Sequence, residues 1–178
     1  MAAPTSHEGD KERFMTEIVV AALGALVLAG AGGLLTTIGP WYRALRKPGW
    51  QPPDWLFGPA WTLILGMAAA SAVLAWRAAP PELHPMVLIL FGVNAVLHLL
   101  WTPLFFNLRR PDWALIEVTF LWGSLVALIL LLWSVSVTAS LLIVPYIAWV
   151  TFAACLNFTI VRLNEPFGAS RDVARSPG

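Results

Sequence analysis

The sequence predicts an all-α integral membrane protein built as a bundle of five transmembrane helices. Hydrophobic residues make up 58% of its 178 positions and only 12% are charged, about half the ~25% charge of a soluble globular domain. Five apolar runs are each long enough to cross a hydrocarbon core of about 30 Å at 1.5 Å of rise per residue. Breakers rich in proline and glycine separate most of them.

Residues 1–17 are polar and of mixed charge, which predicts a disordered leader. They do not read as a secretory signal, because the charge before the first apolar run is not net positive and that run is too long. The membrane domain is expected over 18–164, followed by a polar tail over 165–178. The first helix spans about 18–39 and ends at Gly39-Pro40. Its Ala21, Ala25, Ala29 and Gly33 form a ridge of small residues suited to close helix contact or to dimerisation. The second helix runs over 55–78, carries a similar pair in Gly66 and Ala70, and stops at Ala79-Pro80-Pro81. The third covers 84–107 and ends at Arg109-Arg110-Pro111-Asp112. The fourth and fifth, 113–134 and 138–162, are divided at Ser134 to Thr138 mainly because one helix of about 50 residues would overrun the bilayer.

The longest connection is Pro40 to Asp54. Tyr42-Arg43-Ala44-Leu45 predicts one helical turn that Pro48 stops. Pro52-Pro53 stiffens the chain and Asp54 is placed to cap the next helix. Trp41, Tyr42 and Trp50 then either cover the mouth of the bundle or form an interfacial aromatic belt.

Lys11, Arg13 and Arg77 fall on one side of the membrane, and Arg43, Arg46, Lys47, Arg109, Arg110, Arg162, Arg171 and Arg175 on the other. The positive-inside bias therefore predicts an outside N terminus and a cytoplasmic C terminus. A net charge of +1 offers nothing to nucleic acid. Cys155 is the single cysteine, so an internal disulfide and a paired-cysteine metal site are both excluded. There is no nucleophile–base pair, no phosphate loop and no cluster of metal-ligand residues, hence no expected catalytic residue, metal site or obligatory cofactor.

Ionisable side chains inside a membrane are costly and point to function. Phe91, Asn94, His98, Trp101 and Phe105 follow a 3-4-3-4 spacing that puts them on one face, suited to lining a pocket. His98 either locks packing by a hydrogen bond or meets a ligand as donor, acceptor or axial ligand to a metalloporphyrin. Glu117, one turn after Trp113, is expected to reach the interface, pair with Arg109 or Arg110, or stay protonated. On the fifth helix Trp149, Ala153, Leu156 and Ile160 set large beside small, which makes either ordinary packing or a notch for a flat ring.

Four stretches resemble the tryptophan-rich sensory protein, or translocator protein, family (TspO/MBR), over about residues 20–164. They are Trp41-Tyr42 with Leu45, Lys47-Pro48, Trp50 and Pro52-Pro53; Phe57, Pro59, Trp61 and Thr62; Trp101-Thr102-Pro103-Leu104-Phe105-Phe106; and Pro145-Tyr146, Trp149, Leu156-Asn157 and Arg162-Leu163-Asn164. The resemblance implies a five-helix bundle, often dimeric, that binds porphyrin or haem in a pocket opening under the first loop. It implies a site of Tyr42, Trp50 and Pro53 from the loop, Trp61 and the Leu65 position, Trp101, and Trp149, Ala153 and Leu156. It also implies a membrane receptor or regulator of tetrapyrroles, with or without transport; the alternatives are light- or oxygen-dependent porphyrin breakdown and a small efflux transporter. The bacterial character of the sequence suggests an inner membrane. Three positions depart from the family pattern: His98 stands for an asparagine, Leu65 for a tyrosine, and Phe158 for the tyrosine of the animal sterol motif.

Overall fold

The computed structural model describes residues 6–167. Its elements are α1 (Ser6–Leu35), the short α2 (Pro40–Ala44), α3 (Asp54–Ala78), a 3-10 turn (Pro81–Leu83), α4 (His84–Thr102), a π-helical turn (Pro103–Asn107), α5 (Pro111–Trp133) and α6 (Val137–Asn164). Five helical stretches, His7–Leu35, Asp54–Ala78, Pro81–Asn107, Pro111–Trp133 and Val137–Asn164, are long and apolar enough to cross a membrane. Around the bundle the helices neighbour one another in the order α1, α3, α6, α5, α4, with α4 returning to α1.

The helices end where the sequence removes the means to continue. Ser136 caps α6, its Oγ accepting from the Ala139 N–H at 3.3 Å, which fixes the division that length alone had indicated. Pro111 opens α5, where its missing N–H costs nothing. Pro103 sits at the start of the π turn, and the Leu108 N–H reaches back five residues to the Pro103 carbonyl at 2.9 Å. Arg109 then takes a left-handed backbone, φ 55°, and the turn ends.

One sequence expectation is corrected at the N terminus. Residues 6–17, expected to be a disordered leader, form the first turns of α1, while residues 1–5 lie outside the described residues. Arg77 at the end of α3 supplies the reason. Its guanidinium meets Glu17 at 3.1 Å and Asp10 at 3.3 Å and lies 4.7 Å above the Phe14 ring. This contact also places the N terminus at the same end of the bundle as the α3–α4 junction. Of the predicted tail, Glu165 to Phe167 are described; Arg171 and Arg175 lie outside the described residues.

The core lies between α5 and α6, where Leu125, Leu128, Leu132, Ile143, Tyr146 and Val150 are fully buried. Lipid is as apolar as leucine, so polar links and close packing must hold such helices together. Ser71 Oγ donates to the Ala139 carbonyl and Ser140 Oγ to the Ile129 carbonyl, each at 2.7 Å. Asn94 Nδ2 donates to Ser124 Oγ at 2.9 Å. Asn157, with its amide oriented to suit its surroundings, donates to the Pro111 carbonyl at 3.2 Å and accepts from the Leu115 N–H at 3.1 Å. Ala21, Ala25 and Ala29 are half-buried positions of α1, whose main neighbour is α3, and Gly33 of the same ridge is exposed. Gly66 and Ala70 remain exposed.

Glu117 departs from this pattern of satisfied polar groups. It is 6% exposed, and neither carboxyl oxygen finds a partner among the described residues. The expected pairing with Arg109 or Arg110 is not formed. Arg110 instead bonds Asp112, its Nε 2.8 Å from Oδ1, and covers the Trp113 ring at 4.2 Å.

These contrasts predict opposite outcomes for two substitutions in α5 and α6. Asn157→Leu strands the Pro111 and Leu115 groups and should destabilise the detergent-solubilised fold by about 1–3 kcal/mol. Glu117→Leu removes a buried group with no partner and should leave stability unchanged or higher. Thermal unfolding midpoints of the two variants test both; a large loss in Glu117→Leu would reveal a partner for the carboxyl group.

Candidate functional site

A cavity of about 430 Å³ opens between the helices beneath the first loop. Its aromatic wall comes from Phe57 and Trp61 of α3, Trp101 of α4, Phe105 and Phe106 of the π turn, and Trp149 of α6. Trp61 and Trp149 meet edge to face, with centroids 6.3 Å apart and planes at 86°. Phe57 meets Trp149 in the same way at 5.8 Å, and Trp101 stacks on Phe105 at 4.9 Å. These geometries suit the ring quadrupoles and hold each side chain through its neighbours. The π turn matters here, because it sets Phe105 and Phe106 beside the wall that Trp101 begins.

Small residues from three helices line the cavity as well. Ala29, Gly32 and Gly33 of α1 and Gly58 of α3 line the cavity with Ala153 of α6. A methyl group built on Gly32, Gly33 or Gly58 would meet nothing within 4 Å. The space is therefore created by missing side chains as much as by the positions of the helices.

The roof is a tied loop. Tyr42, buried on the one-turn helix α2, donates from its hydroxyl to Asp54 Oδ1 at 2.9 Å. Gln51 Nε2 donates to the same carboxylate oxygen and to the Tyr42 hydroxyl, both at 3.2 Å. Lys47 Nζ lies 3.4 Å above the Tyr42 ring. Burial, and then the neighbouring Asp54 carboxylate, raise the Tyr42 phenol well above its ordinary value, so it stays a neutral donor. Burial likewise lowers the Lys47 ammonium. Asn164, at the end of α6, clamps the far side of the loop. Its Oδ1 accepts from the Arg46 N–H and its Nδ2 donates to the Arg46 carbonyl, each at 2.8 Å. This clamp joins the loop to the C-terminal end of α6, at the opposite end of the bundle from Arg77.

Few polar groups reach the interior. His98 is on the wall, its Nδ1 3.1 Å from the hydroxyl of fully buried Tyr146. Trp61 packs against the imidazole with centroids 4.7 Å apart. Trp149 Nε1–H is buried and has no acceptor among the described residues. No group of three His, Cys, Asp or Glu side chains among the described residues is disposed to hold a bare metal ion.

The structure brings Tyr42, Trp61, Leu65, His98, Trp101, Trp149, Ala153 and Leu156 to one cavity. Trp50 and Pro53 do not join them on the wall. Trp50 is 51% exposed and packs edge-on against Phe152 at 5.8 Å, while Pro53 precedes α3 as its N-terminal cap. Both support the loop from outside. Of the third-helix stripe, His98, Trp101 and Phe105 face the cavity, whereas Asn94 is spent on Ser124 and Phe91 packs in the core. The wall from α1 was not foreseen, since its only signal is the pair Gly32-Gly33 within a helix. Val118 and Leu121 of α5 also line the cavity, as unmarked members of an apolar run.

The comparisons with known proteins agree with this architecture. Residues 18–163 match the model of the TspO/MBR family. The chain is 41% identical to protein CrtK of Rhodobacter capsulatus over 141 residues, 79% of this chain and 88% of that one. It is 40% identical to the tryptophan-rich protein TspO of Chlorobaculum tepidum over 147 residues, 80% and 92% of the two chains. It is 32% identical to the human translocator protein over 133 residues, 74% and 79% of the two chains. With five apolar helices, the four sequence signatures and a match that spans the whole bundle, this chain is an integral membrane protein belonging to the TspO/MBR family.

Proposed function

We propose that this protein is a membrane receptor or regulator that binds a tetrapyrrole, porphyrin or haem, in the cavity under the first loop. The observation that supports this most is the cavity's lining. Aromatic rings from α3, α4, the π turn and α6 line it, and Gly32 and Gly33 of α1 and Gly58 of α3 leave space where side chains would stand. A flat, largely apolar ring suits such a slot, since it gains contact area from the indoles and needs the space that side chains would take. The few polar groups, at His98 and at the Tyr42–Gln51–Asp54 mouth, would fix its orientation. A regulatory role fits the roof, because ligand that moves Tyr42 or Arg46 would alter a loop held to the bundle by a handful of hydrogen bonds.

The orientation we infer follows from the cations. The loop end carries Arg43, Arg46, Lys47, Arg109, Arg110 and Arg162, and the other end Lys11, Arg13 and Arg77, so the mouth opens to the cytoplasm and the N terminus lies outside. In a bacterial cell this corresponds to the inner membrane. A homodimer, as in the family, would find an exposed pair of small residues in Gly66 and Ala70 of α3.

Titration of the detergent-purified protein with protoporphyrin and with haem tests the reading. Tryptophan quenching, corrected for ring absorption, and the Soret band report binding, and an unrelated membrane protein serves as control. Saturable binding is expected, with Trp149→Ala weakening it about tenfold, a loss of about 1.4 kcal/mol. Gly32→Leu should abolish binding by filling the slot while leaving the fold intact. Absence of saturation for both rings would overturn the proposal. Asn164→Ala removes both hydrogen bonds to Arg46, worth about 0.5–1.5 kcal/mol each, and stopped-flow quenching should show ligand leaving about tenfold faster; an unchanged rate would mean that the loop does not gate the cavity.

A further inference from the structure

We propose that His98 is an axial ligand, through Nε2, to the metal of a metallated tetrapyrrole, and that Tyr146 is its positioning residue. This rests on the reading of the cavity as a tetrapyrrole site and narrows it to rings that carry a metal. His98 is the one imidazole on the wall. Its ring is fixed from two sides: Trp61 at 4.7 Å and 68°, and Tyr146 at 6.1 Å and 83°. Those two rings are themselves perpendicular, at 5.7 Å and 89°. The imidazole thus sits in a slot with little freedom to turn.

The hydrogen bonding divides the two nitrogens. Nδ1 is 3.1 Å from the Tyr146 hydroxyl, and Nε2 makes no hydrogen bond among the described residues. A neutral imidazole has one N–H and one lone pair. When Nδ1–H donates to Tyr146, the lone pair is on Nε2, on the side of the ring turned from Tyr146. This is the usual arrangement of a metal-bound histidine, whose second nitrogen is held by a hydrogen-bond acceptor. Tyr146 is 1% exposed, so its hydroxyl, which can accept from Nδ1–H or donate to Nδ1, is fixed in the core and shielded from water.

The poverty of other ligands points the same way. No group of three His, Cys, Asp or Glu side chains among the described residues offers a cage to a bare cation. A metal that arrives inside a macrocycle brings four nitrogen ligands and asks the protein for one. The site fits that demand. Metal-free porphyrin would make the same apolar contacts and gain nothing from the Nε2 lone pair.

The test compares ferric haem with metal-free protoporphyrin on the wild type, His98→Ala, His98→Asn and Tyr146→Phe, by tryptophan quenching, Soret position and low-temperature electron paramagnetic resonance of the bound iron. The wild type should bind haem with a shifted Soret band and a nitrogen-ligated iron signal. His98→Ala and His98→Asn should lose the shift and about tenfold or more of haem affinity relative to that for metal-free porphyrin, whose continued saturable binding shows that the pocket is intact. Added imidazole should restore the band in His98→Ala. Tyr146→Phe should weaken haem about tenfold and alter the iron signal with metal-free binding unchanged, a pattern that a merely structural role would not give. If the His98 variants bind both rings with unchanged relative affinity and an unmoved Soret band, axial ligation is wrong and the tetrapyrrole reading stands. If neither ring saturates the wild type, both fall together.

Discussion

A bilayer offers no water to the backbone, and the rest of this structure depends on that constraint. Each span must close its own hydrogen bonds, so irregular chain is confined to the ends or to protein-lined space. The two irregular segments at one end, the π turn of Pro103–Asn107 and the tied first loop, both border the cavity. Pro103 cannot donate an N–H, and the turn that absorbs this defect carries Phe105 and Phe106 to the wall. The loop cannot run through lipid, and it is held down by Asn164 and by the Tyr42–Asp54 bond. The features that break regular helix are therefore the features that build the site.

The same constraint sorts the polar side chains. Ser71, Ser140, Asn94 and Asn157 each satisfy a specific partner and join helices that apolar contact alone would not hold. His98 spends one nitrogen on Tyr146 and keeps the other. Glu117 and the Trp149 indole N–H stay buried without partners, at a cost of about 1–3 kcal/mol for each unsatisfied group. Groups of this kind are expected where a site favours function over stability. Trp149 lies on the cavity wall itself. Gly32, Gly33 and Gly58 forgo side-chain contact and keep the slot open.

The helices were legible because each relies on local chemistry. Apolar length, Gly39-Pro40, Pro80-Pro81, Pro111 and Ser136 mark their ends in the sequence itself. The leader was misread because its helix depends on a partner far along the chain. Arg77 binds Asp10 and Glu17, a separation that composition does not reveal. Most of the site could be read from the third-helix stripe, the Trp149–Ala153 notch and the family signatures. Trp50 and Pro53 belong to those signatures as well, yet they support the loop instead of lining the cavity. Sequence patterns register that a position matters without separating contact from scaffolding. The α1 wall escaped because a missing side chain leaves a weak trace. Glu117 was legible as a costly intramembrane group, and of its three expected fates the pairing with Arg110 fails because Asp112 occupies that cation.

A structure of the full chain reconstituted in lipid with zinc protoporphyrin would show where the ring binds. The expected result is a single ring between the Trp61–Trp149 edges and the Gly32 face of α1, beneath the loop, with its metal next to His98 Nε2. A ring on the lipid-facing surface, or a cavity filled by lipid under saturating porphyrin, would contradict it.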